Sequence, residues 1–76
     1  MTSLSEAAMS VIVPFAGAMV AGMCIRATAT AAGKDAESLS AADIPVFKEC
    51  ATGILHSLAP YDAIGRLMAD VERQVS

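Results

Sequence analysis

Seventy-six residues make one domain at most, and a chain this short buries too small a share of its surface for its private core to be more than marginal; the composition, 55% hydrophobic but 4% aromatic, builds that core from Ala, Val, Ile, Leu and five Met. A net charge of -3 and the scatter of the five basic residues, Arg26, Lys34, Lys48, Arg66 and Arg73, exclude the basic stripe with which nucleic-acid binders track phosphates. Two cysteines, Cys24 and Cys50, exclude a secreted disulfide framework and lack the spacing of a zinc or thioredoxin-like site.

The first predicted element opens on "SLSE", where Ser3 and Glu6 have capping-box spacing. A helix over about 4–32 follows, with Gly33 suited to the left-handed position after its end. As one straight rod it would be about 43 Å long at 1.5 Å per residue, against a globule only about 30 Å across. A kink is therefore expected near Pro14, whose ring removes the bond to the Ser10 carbonyl.

"GKDAESLS" is the polar connector, residues 33–40, and Ser40 with Asp43 are spaced as a second N-cap. A second helix is expected over about 41–58, with Pro45 in its first turn. Its apolar face holds Ile44, Phe47, Ala51, Ile54, Leu55 and Leu58; Lys48, Glu49, Thr52 and His56 form the polar one. A third helix, about 60–75, is plainly amphipathic: Ile64, Leu67, Met68, Val71 and Val75 share a face, with Asp62–Arg66 and Arg66–Asp70 as i, i+4 pairs outside. No strand signal of useful length occurs.

The fold class is thus all-α: an antiparallel helical hairpin with a long kinked first helix, plus a short third helix, expected to be oligomeric. Small residues at three- and four-residue spacing let two helix backbones approach closely. If the chain reverses near Glu37, Cys24 faces Cys50 and Ala21 faces Gly53, so Gly17, Ala21, Cys24, Cys50 and Gly53 form the expected helix–helix seam. The two thiols on that seam are also a candidate redox pair, set against the plainer role of small buried hydrophobes.

The rest of the first helix is apolar all round, and one sector has no cover within the monomer. Ile12, Phe15, Met19 and Met23 are the expected interaction face. The expected function is a non-enzymatic helical interaction module, either a homo-oligomer or a small accessory subunit of a larger protein, with no nucleic acid, no cofactor and no metal.

A second expectation treats residues 7–25, nineteen mostly apolar positions, as a single membrane span of nearly the required length. Arg26 and Lys34 would then put the C-terminal side in the cytoplasm. Nearly half that run is Ala, Gly, Ser or Pro, with no Trp or Tyr at either end. Because no basic stretch precedes the run, no cleaved signal peptide is expected; the expected location is cytoplasmic with both thiols reduced, the inner membrane being the alternative.

Two short stretches resemble known sites. Ser38-Leu39 in "AESLSAAD" resembles the phosphopantetheine-bearing helix start of acyl carrier proteins, but over two residues only, with Glu37 in place of the usual Asp and an uncharged first segment such carriers lack. "HSLAP" around His56 resembles the phosphoaccepting helix of sensor kinases, with the proline one position off and no nucleotide-binding region. Ser38 and Ser40 are accordingly read as capping residues, and His56 as a solvated side chain.

Overall fold

In the computed structural model, which describes residues 3–75, the chain forms four α-helices: α1 (Leu4–Ala16), α2 (Ala18–Ala32), α3 (Ile44–Leu55) and α4 (Tyr61–Val75). Two single 3-10 turns, Ala36–Ser38 and Ala41–Asp43, occupy the connector, and no strand occurs among the described residues. α1 packs on α2, α2 on α3 and α1 on α4, while α3 and α4 touch more lightly. The contact between α2 and α3 across the connector is the one a hairpin requires.

The expected 29-residue helix is two helices, and the break is not where the proline is. Pro14 sits inside α1, because only one intrahelical bond is lost there and the helix has just two residues to run. It stops at Gly17, whose amide donates to the Val13 carbonyl at 2.9 Å and whose backbone then turns to φ 94°, ψ 164°. An L-residue with a side chain rarely enters that region, so glycine makes the corner. The Gly17 carbonyl in turn accepts from Ala21 at 3.1 Å and starts α2.

At the N-terminus of α1 the Glu6 amide donates to the Ser3 hydroxyl at 3.2 Å, satisfying one amide that the first turn leaves free. Gly33, at φ 68°, ψ 33°, closes α2 in the left-handed conformation, with its own amide and that of Lys34 returning to α2 carbonyls.

The connector is more built than its polar composition indicates. Leu39 is buried in the core, and the Ser5 hydroxyl donates to the Ala36 carbonyl at 2.5 Å, fastening the first 3-10 turn to α1. α3 begins at Ile44 rather than 41, because residues 41–43 are taken up by the second 3-10 turn, and it ends at Leu55 rather than 58. Leu58, expected on the core face of that helix, therefore lies in the turn beyond it and is 59% exposed.

The core draws Leu4, Ala8 and Ile12 from α1, Ala21, Cys24 and Ile25 from α2, Phe47, Ala51 and Leu55 from α3, and Ile64, Met68, Val71 and Val75 from α4. α4 is the helix its sequence describes, although the Asp70 carboxylate pairs with Arg73, three residues on, instead of with Arg66.

No helix among the described residues is long and apolar enough to cross a membrane. The corner at Gly17 is the physical reason: α1 and α2 have 13 and 15 residues, about 20 and 22 Å at the helical rise, against about 30 Å of hydrocarbon. The single-span expectation for residues 7–25 is therefore corrected.

Candidate functional site

The corner between α1 and α2 leaves an apolar surface uncovered. Phe15 and Met19 flank Gly17 and are 47% and 79% exposed; Met23, one turn along α2 from Met19, is 42% exposed. Pro14 and Ala18 are exposed beside them, and between Glu6 and Arg26 no residue carries a charge. A large apolar side chain left in water forgoes roughly 1.5–3 kcal/mol of transfer free energy, and three are exposed within the nine residues from Phe15 to Met23.

Ile12, the fourth residue expected on this face, is not part of it. It is 0% exposed and continues the buried stripe of Leu4 and Ala8 at four-residue spacing. The expectation rested on one continuous helix, in which Ile12 and Met19, seven residues apart, point almost the same way. The positive φ of Gly17 resets that phase, so α1 and α2 no longer share a helical wheel.

The same reset removes Gly17 from the expected seam, and Gly53 leaves it for a different reason. Gly53 is exposed on α3, and a β-carbon added there would meet nothing within 4 Å. Ala21 and Cys24 are fully buried and Cys50 half-buried, so the seam is reduced to its middle.

Both thiols are free. Burial pushes the Cys24 thiol above its ordinary value, and the neighbouring Cys50 pushes the same way because a second negative charge would stand close by. The Cys24 carbonyl accepts from the Thr28 hydroxyl at 2.7 Å, which satisfies that buried threonine within its own helix. These surroundings favour a protonated, weakly nucleophilic Cys24.

Among the described residues Asp43 is the one buried carboxylate. Its Oδ2 accepts from the Ser40 amide at 3.0 Å, and both oxygens accept from Lys34 Nζ, at 3.0 and 3.3 Å. The Ser40 amide first, and Lys34 second, hold its carboxyl below the usual aspartate range. The group pins the connector between α2 and α3, a structural duty that accounts for all its contacts. His56 caps the C-terminus of α3, exposed, with its amide on the Thr52 carbonyl at 3.0 Å.

Among the described residues no three His, Cys, Asp or Glu side chains come together as a metal site. An open groove of about 320 Å³ runs between α3 and α4, past Thr52, Tyr61, Ile64 and Met68, and the Lys48–Glu72 ion pair borders it. Its lining is mixed and includes the exposed Tyr61, and Leu58, in the turn after α3, is exposed as well. Sequence reasoning missed the exposure of Leu58, because it placed that residue inside a helix. The early stop of α3 is signalled only by "LAPYD", which begins three residues later. Compared with protein-family models, with curated proteins and with solved structures, the chain shows no match.

Proposed function

We propose that the protein is a non-enzymatic helical interaction module that associates with a second copy of itself through the α1–α2 corner. The observation that carries this reading is the exposure of Phe15, Met19 and Met23, on either side of the Gly17 corner, within a stretch of chain that holds no charge. A standard interface covers about 800 Å² on each partner, roughly a fifth of the 4284 Å² surface of this chain. The corner, with Pro14 and Ala18 added, is the apolar area suited to be the centre of such a contact.

Charge favours a second copy over other covers. Every acidic residue except Glu6 lies after Arg26 in the sequence, so two copies can meet at the corner without bringing their like charges together at its centre. An anionic bilayer surface would want a basic rim, and Arg26 is the single cation in α1 and α2. In a two-fold contact Phe15 of one copy meets methionines of the other, and sulfur–aromatic contacts add about 0.3–1.5 kcal/mol each.

Sedimentation in detergent-free buffer tests the proposal. The expected result is a concentration-dependent mass above 7.8 kDa that Met19→Glu returns to the monomer while the helical circular dichroism is kept. A species monomeric up to about 1 mM, or an assembly that Met19→Glu leaves intact, overturns it.

A further inference from the structure

We infer that Met19 is an oxidation site whose conversion to the sulfoxide switches this self-association off; the inference rests on the corner being the contact between copies. Met19 is the most exposed of the described methionines at 79%, whereas Met68, at 5%, is enclosed in the core. Attack by a hydroperoxide follows access to the sulfur, so Met19 reacts first and Met68 last. The sulfur gives an electron pair to the terminal peroxide oxygen, the O–O bond breaks and the S–O bond forms. The sulfur is oxidised by two electrons, and hydrogen peroxide is reduced to water.

The consequence depends on what surrounds the new oxygen. A sulfoxide is a strong acceptor, and burying it unpaired is costly. Within one helical turn of Met19 the positions are Phe15, Ala16, Ala18, Gly22 and Met23, none with a side-chain donor; the next donor along α2 is Arg26, whose guanidinium lies 3.9 Å from where a β-carbon on Gly22 would stand. Met23 differs: Arg26 follows it by three residues on the same exposed side of α2, and a guanidinium can take a sulfoxide oxygen. Met9 lies six residues before Phe15, about 120° around α1, beside Glu6 and Ser10. Among the described methionines on the α1–α2 corner, Met19 is therefore the one whose sulfoxide has no side-chain donor within a helical turn. Because the paired state covers its sulfur, oxidation proceeds from the separated copies and drains the assembly by mass action.

The test treats the protein with hydrogen peroxide, then with dithiothreitol, which returns any oxidised thiol pair but leaves sulfoxides in place. Peptide mass mapping and sedimentation follow. The expected result is one oxygen gained at Met19 before Met68, a rate of gain that falls as protein concentration rises, and association weakened by at least about tenfold. Methionine sulfoxide reductase restores it, and Met19→Leu, which keeps the apolar area and cannot take oxygen, stays associated through peroxide. The inference is overturned if Met19 is oxidised and the mass is unchanged, if Met19→Leu dissociates equally, or if Met68 is oxidised in step with Met19. An untreated protein that is already monomeric instead overturns the self-association itself.

Discussion

The α1–α2 arm buries eight apolar residues to the four of α4, yet only α4 has a face that its sequence declares. In α4 the buried Ile64, Met68, Val71 and Val75 alternate with Asp62, Arg66, Glu72 and Arg73, and the charges mark which side is outside. In α1 and α2 nearly every residue is apolar, so burial is decided by which sector the neighbouring helices cover and by where the chain turns. Ile12 and Met19 are both large and apolar, and one is enclosed while the other stands in water. Hydrophobicity selects a face only where polar residues exclude the alternative.

The widest separation between the two arms is expected at Ile12 and Met19 themselves. Ile12→Ala empties a fully buried site and should cost about 2–5 kcal/mol, the same as Ile64→Ala in α4, whose side chain is almost as enclosed. Met19→Ala should alter monomer stability by less than about 0.5 kcal/mol. Urea unfolding of the three variants, read below the association range, checks this. A Met19→Ala cost equal to that of Ile12→Ala would mean that Met19 is packed within the monomer. Should Ile12→Ala not fold, Ile12→Val, expected at about 0.5–1.5 kcal/mol, makes the same comparison.

The corner comes next in size. Gly17→Ala leaves free space around the new β-carbon, so its expected cost of about 1–3 kcal/mol is entirely backbone strain at φ 94°. Pro14→Ala, by contrast, restores a donor within α1 and should be neutral or stabilising. Thermal unfolding of both reveals which residue breaks the arm, and a larger loss from Pro14→Ala would return the break to the proline. Gly53→Ala completes the set: with open space and helical geometry it should stabilise by about 0.5–1 kcal/mol. A loss there would instead restore the close seam.

These glycines show what the sequence could and could not say. The helical class, the polar connector, the break before α4, the capping spacing at Ser3 and the buried face of α4 all follow from local chemistry that one residue type performs best. Phe15, Met19 and Met23 were legible as unpartnered surface because their stretch is too apolar to be covered by so short a chain. Ile12 and the seam glycines were not, because both depend on the angle at which α1 leaves Gly17, and that angle is a property of one backbone position. Nor was the burial of Leu39, which a polar connector hides until the 3-10 turns draw it inward.

The smallest expected effect lies in that connector, where a charge acts beside the buried Leu39 to fix the chain. The Asp43 carboxyl is held below the usual range by the Ser40 amide and by Lys34. A folded value lowered in this way contributes stability that is present above the ordinary aspartate value near 3.9 and lost as pH falls through the lower folded value. Asp43→Asn cannot ionise, so it should unfold at a lower temperature than the parent at neutral pH. The gap should close as the solution is acidified past that value, where the parent carboxyl is protonated as well. Added salt should narrow the part owed to Lys34, whose side chain is 40% exposed, and leave the part owed to the Ser40 amide. Thermal midpoints of both proteins against pH, at low and high salt, separate the two. A gap that persists unchanged into acid would mean that Asp43 acts through the shape of its turn, and the connector would then resemble the apolar arms it joins in being held by packing.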